Sequence, residues 1–173
     1  WDIVVTDTEG DGLYYDVTVA HCAVIIDVLT GEALEYGPDQ IGEYLKKLHE
    51  CKLMCGHNVL DYDFPSLFKL YGFTTTVEHV CDTLVLSRLI YPERNGGHSL
   101  ASWSKSLGEP KTDWRAEAES LGLCHPNDPR GAEFKVYHPR MLAYCTQDCR
   151  VNLKMLREVL KYMGWTLDEL LEY

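Results

Sequence analysis

The stretch from Val17 to Leu29 constrains this chain most. It is the longest apolar run in the sequence, rich in Val and Ile, and interrupted by His21, Cys22 and Asp27. It falls short of the roughly 20 apolar residues that a membrane-spanning helix needs, and its β-branched content favours a strand. A long apolar strand needs partners in a sheet. A shorter β-branched run, residues 3–6, precedes it and stops at Asp7. The turn Leu29-Thr30-Gly31-Glu32 leads from it into a third strand over 33–36. The opening of the chain therefore reads as an antiparallel meander.

Beyond it the pattern turns helical. Ile41, Tyr44, Leu45 and Leu48 recur at helical spacing behind Pro38 and predict a helix over 38–51. Residues 52–55 read as a short strand ending at Gly56-His57-Asn58, and 62–71 as a helix closed by Gly72. Further helices are predicted over 82–89 with Asp82 as N-cap, over 99–107 closed by Gly108, and over 138–162 opened by His138-Pro139. Residues 109–134 mix Pro, Gly, Asp and Asn and read as a long connection with one short helix over 114–120. A short helix over 166–171 follows Gly164, and the amphipathic end at 167–173 either closes the fold or contacts a partner. Strands first and helices later, with one strand–helix–strand passage at 33–55, predict an α/β layer architecture: a mixed sheet flanked by helices. At 173 residues, with no internal repeat and no linker, the chain reads as a single domain, 1–173.

A net charge of −11 argues against binding nucleic acid by a broad basic face. A short strand end can still be held through divalent cations, which supply the positive charge that Lys and Arg do not. Of the seven cysteines, Cys51/Cys55 and Cys145/Cys149 are spaced by four, not by the CxxC of a zinc knuckle. They read as reduced, mostly buried thiols. No basic stretch precedes an apolar segment near residue 1, so neither a signal peptide nor a membrane segment is expected.

The chemistry is carried by acids. Asp7 and Glu9 stand two apart at the end of a strand and so point to one face. Two close carboxylates repel by about 4 kcal/mol at ~4 Å and an effective dielectric near 20. A proton relieves this, and a hard divalent cation with oxygen preference relieves it better. Alone, Asp-x-Glu more often marks two solvated acids. Asp63 follows the second short strand, with Asp61 two residues before it. Asp148 lies in the long final helix one turn after Tyr144, on a face shared with Met141, Val151 and Met155. That face points inward, so both polar groups need partners. A plain Tyr–Asp hydrogen bond would satisfy them.

Taken in order, Asp7-Thr-Glu-Gly-Asp-Gly-Leu13, His57-Asn-Val-Leu-Asp-Tyr-Asp-Phe-Pro65 and Tyr144-Cys-Thr-Gln-Asp148 resemble the DEDDy-type 3′→5′ exonuclease superfamily, named for four acids and a tyrosine. Residues 81–90 and Gly97-His-Ser-Leu-Ala-Ser-Trp103 resemble the proofreading exonuclease domain of family A DNA polymerases of lytic phages. The resemblance spans residues 3 to about 160 and is weakest over 109–135. It includes no polymerising portion. It implies an RNase H-like fold with a mixed five-stranded sheet and two Mg2+ or Mn2+ ions. Asp7 would bridge both ions, Glu9 and Asp148 would complete one site, and Asp63 would hold the other. Tyr144 would orient the attacking water. Substrate contacts would come from Thr8, Leu13, His57 and Asn58, with Leu13 against the terminal base. Trp103 is better read as core, Asp82 as a helix cap and Asp11 as a turn acid.

The resemblance implies hydrolysis of single-stranded DNA 3′ ends to nucleoside 5′-monophosphates, in proofreading or phage DNA metabolism. The compartment would be the cytoplasm, the host's if the chain is phage-encoded. A DNA polymerase or other replication protein is the expected partner. Two alternatives stand beside this: an exoribonuclease of the same superfamily, which would need a contact to the 2′-OH, and a non-catalytic polymerase-associated subunit.

Overall fold

A computed structural model describes residues 1–172; Tyr173, the last residue of the predicted amphipathic end, lies outside the described residues. Five strands form one mixed sheet: β1 (Ile3–Gly10), β2 (Ala20–Asp27), β3 (Ala33–Tyr36), β4 (Leu53–Gly56) and β5 (Val80–Asp82), in the order β3-β2-β1-β4-β5. β1 pairs antiparallel with β2 and parallel with β4, and β4 pairs parallel with β5. The three opening strands are the predicted meander, and the fold is the expected RNase H-like one. β1 runs further than its β-branched stretch suggests, because its partner continues. Asp7 faces Val24, Thr8 faces Ala23 and Glu9 faces Cys22, until the register shifts after Glu9. The two acids therefore sit within the ladder rather than beyond it. β2 starts later than the apolar run, at Ala20. Its last residue, Asp27, is spent on the turn, where it accepts bonds from the backbone nitrogen and hydroxyl of Thr30 at 2.9 and 2.6 Å.

Both faces of the sheet are covered, which is why β2 is buried along its whole length. On one face Ile3, Val5, Cys22, Val24 and Ile26 pack against Met141, Cys145, Cys149, Leu153 and Leu156 of α6 (Pro139–Met163). On the other, Val4, Ala23 and Ile25 meet Tyr44 and Leu48 of α1 (Ile41–His49) and Phe64 and Leu67 of α2 (Asp63–Tyr71). The polar end of Tyr44 is satisfied by Thr6 Oγ1, 2.8 Å away. Asp82 caps α3 (Thr83–Ile90), accepting from Leu84 and Val85 nitrogens. Trp103 of α4 (Leu100–Leu107) is core, with its indole donating to Ser87 Oγ at 2.9 Å. The short helix in the long connection is α5 (Trp114–Ser120), and α7 (Leu167–Glu172) ends the described chain. α6 is delimited as the sequence suggests. Pro139 occupies its first turn, His138 caps it, and Gly164 adopts φ +69° at its end. Among the described residues no helix is long and apolar enough to cross a membrane.

Candidate active site

Asp7 and Glu9 project from the pleat of β1 toward α6, while Thr8 points to the opposite face. α6 brings Asp148 and Tyr144 to the first side. Asp63, at the start of α2, arrives from the second. One Asp63 oxygen accepts bonds from the backbone nitrogen of Thr8 at 2.9 Å and from its hydroxyl at 2.6 Å. Thr8 thus fixes the buried Asp63 carboxylate against the strand that carries Asp7 and Glu9. Asp61, by contrast, is exposed.

Burial pushes the Asp7 carboxyl well above the usual carboxylate range, and the charges of Asp63, Glu9 and Asp148 push it further. Glu9 is raised in the same way, by burial first and then by Cys22, Asp148 and Asp63. Asp63 is raised to about 6 by burial, against the pull of its Thr8 bonds. Asp148 is also raised by burial, and the Lys111 ammonium opposes the rise. Four buried acids with raised proton affinity, two of them raised further by their neighbours' charges, are a site short of positive charge. An all-oxygen carboxylate set of this kind suits a hard divalent ion. The donor atoms of Asp7, Glu9 and Cys145 lie within 4.8 Å of one another. The buried Cys145 thiol approaches the carbonyl and a carboxylate oxygen of Asp7 at 3.5 and 3.6 Å.

Among the described residues Lys111 supplies the cation that meets the cluster. Its ammonium donates to both oxygens of Asp148 and, at 3.3 Å, to the hydroxyl of Tyr144, whose ring it overlies at 4.6 Å. Trp114 packs on the same ring, with centroids 6.0 Å apart. Burial, then the charge of Asp148, raises the Tyr144 phenol, so it stays protonated at neutral pH. Leu13 stands at the mouth, 75% exposed, in a cavity of about 660 Å³ shared with Glu9, Tyr62, Arg130 and Phe134. The Tyr62 hydroxyl donates to the Gly12 carbonyl at 2.8 Å and so ties α2 to the Leu13 loop.

The structure gathers Asp7, Glu9, Asp63, Tyr144 and Asp148, with Thr8 behind them and Leu13 in front. His57 and Asn58 are held instead by the start of α3. His57 Nδ1 lies 3.0 Å from Thr83 Oγ1, and burial lowers the ring's pKa to about 4. Asn58 adopts φ +68°, and its backbone nitrogen donates to Asp82 at 3.0 Å. Sequence reasoning missed Lys111, Cys145 and Tyr62. For Tyr62 and Cys145 a signal existed, since each adjoins a singled-out residue. Lys111 lies in an aperiodic stretch where nothing local marks it.

No family model matches the chain. It is 32% identical over 190 residues to the DNA-directed DNA polymerase of Escherichia phage T7, an alignment that covers 91% of this chain. The polymerase of Enterobacteria phage T3 is 33% identical over the same share. Over nearly its whole length the chain is similar in sequence to these polymerases. It spans about a quarter of the length of these phage polymerases, 26% of each. In fold it is similar to Brucella melitensis NrnC. The NrnC structure with bound Mg2+ superposes with a TM-score of 0.62 at 18% identity, over 97% of this chain and 78% of that one. NrnC bound to pGG gives 0.60.

Proposed function

We propose that this domain is a divalent-metal-dependent 3′→5′ exonuclease that hydrolyses the terminal phosphodiester of single-stranded DNA and releases nucleoside 5′-monophosphates. The observation that carries the reading is the convergence of Asp7, Glu9, Asp63 and Asp148, each with a raised proton affinity, beside a protonated Tyr144. Asp7, which feels the charge of all three other acids, would hold the ions together with Glu9, Asp148 and Asp63, the last fixed by Thr8. Ions bound there would provide a water of lowered pKa and stabilise charge on the leaving 3′ oxygen.

The chain's own groups do the rest. The Tyr144 hydroxyl oxygen accepts a hydrogen bond from Lys111, so its own proton is free to orient the attacking water. Trp114 keeps the ring from turning. Leu13 offers an apolar face to the terminal base, and Tyr62 braces the loop that carries it. Relatedness to phage polymerases supports DNA as substrate and a polymerising module as partner. The likeness to NrnC, solved with pGG, supports a second reading in which short oligoribonucleotides are cleaved.

The test uses 5′-labelled DNA and RNA oligomers of one sequence, with Mg2+, Mn2+ or EDTA. A metal-dependent ladder receding from the 3′ end of DNA, with nucleoside 5′-monophosphates as product, is expected. Faster digestion of RNA would transfer the assignment to the second reading. Digestion in EDTA would end both.

A further inference from the structure

The connection between α4 and α6 is not a spacer. It forms one wall of a cleft of about 1000 Å³ that opens onto Tyr144. Four acids line this cleft, and all are engaged. Glu109 pairs with Lys154, Glu133 with Arg115, Asp113 caps α5, and Asp128 accepts the backbone nitrogen of His125 at 2.7 Å. Two of its cations are not engaged. Among the described residues neither Lys105 nor Arg130 has an ion-pair partner. Arg130 also lines the smaller cavity with Glu9 and Leu13, so it stands where the two meet.

The loop that carries Arg130 is held in place. The Arg115 guanidinium donates to Glu119 and Glu133 and to the carbonyls of His125, Asp128 and Pro129, at 2.7–3.2 Å. The Trp114 indole adds a bond to the Glu133 carbonyl at 2.8 Å, and His21 lies 2.8 Å from the Phe134 carbonyl. Arg130 is thus presented from a clasped loop, which reduces the ordering cost of a contact it makes.

We infer that this cleft carries the sugar–phosphate backbone of the strand behind its terminal nucleotide, with Arg130 at the junction and Lys105 further along receiving successive phosphates. This rests on the exonuclease reading above. It also shows how a chain of net charge −11 can offer positive charge to a polyanion here: within this cleft two cations are free of ion pairs, while the four acids beside them are tied up.

The test compares kcat/KM of the intact domain, Arg130→Ala and Lys105→Ala on a long single strand and on a dinucleotide, across a salt series with Mg2+. Both side chains are solvent-facing, and thermal melts check that the fold is kept. For each variant the preference for the long strand over the dinucleotide is expected to fall about tenfold. KM should rise while kcat holds, and the salt slope of log KM should drop by about 0.7 per cation removed. An unchanged preference and slope in both variants would overturn the cleft assignment. If the intact domain cleaves neither substrate, the exonuclease reading itself fails.

Discussion

Asp63→Asn should make the metal-free protein more stable, although it removes a residue assigned to the site. The buried Asp63 carboxyl holds its proton up to about pH 6, against an ordinary value of 3.8. The unfolded chain loses that proton near pH 4, so between pH 4 and 6 the folded state binds more protons and stability falls as pH rises. The penalty is complete above pH 6. It amounts to about two pH units at ~1.4 kcal/mol each, or about 3 kcal/mol. At 3% exposure solvent screening does little to reduce it. An Asn side-chain oxygen can still accept both Thr8 bonds, and the variant carries no charge to repel Asp7. In EDTA at pH 8, Asp63→Asn should therefore exceed the native protein by about 3 kcal/mol, roughly 6–12 °C in melting temperature for a chain of this size. At pH 4.5 the gain should shrink to about 1 kcal/mol. With saturating Mg2+ the order should close or reverse, because only the native site is complete. Urea unfolding at the two pH values, with EDTA and with Mg2+, reads all of this. A variant no more stable than the native protein at pH 8 in EDTA would refute the claim that the acids are under electrostatic strain.

Three further outcomes are expected. Lys111→Met strips Asp148 of its counter-charge and should cost about 3 kcal/mol in EDTA, by the cost of breaking a buried pair. Most of that should return with Mg2+, and an equal loss in both buffers would mean that Lys111 merely packs. Gly56→Ala would place a Cβ 2.0 Å from Val59 Cγ1 and 3.0 Å from the Thr6 carbonyl. It should destabilise by about 1–3 kcal/mol in urea unfolding, and a loss under ~0.5 kcal/mol would show that this turn yields easily. Leu13→Ala, at an exposed position, should leave the unfolding free energy within about 0.5 kcal/mol of native while raising KM for a single strand several-fold. An unchanged KM would remove Leu13 from the substrate's path.

The sequence made the frame legible where periodicity and capping agree. His138-Pro139 and Gly164 bracket α6, and the Asp-x-Glu spacing placed two carboxylates on one face of β1. What it obscured was non-local. β5 is three residues long and exists only because β4 offers it an edge. The length of β1 depends on β2. Thr8 and Asp63 meet although they stand 55 positions apart in the chain, and Thr8 carries no mark of its own as a clamp. Lys111 reaches Asp148 from a connection with no period to read, held against α6 by Gln147 and Lys154. The inward face of α6 was anticipated with Tyr144 and Asp148 on it. Cys145 belongs there too, because position 145 lies one turn beyond Met141.

The central claim is that the acidic cluster is a catalytic divalent-metal site, and Asp7→Asn tests it most directly. The rate of nucleotide release from the 3′ end of single-stranded DNA should be measured for native and variant protein in Mg2+. Mn2+ binding should be measured by calorimetry on the same samples. The account predicts a loss of about a thousandfold, the several kcal/mol that metal stabilisation supplies, together with markedly weakened ion binding. A variant that keeps native turnover, or a native protein that digests the strand equally well in EDTA, would contradict it.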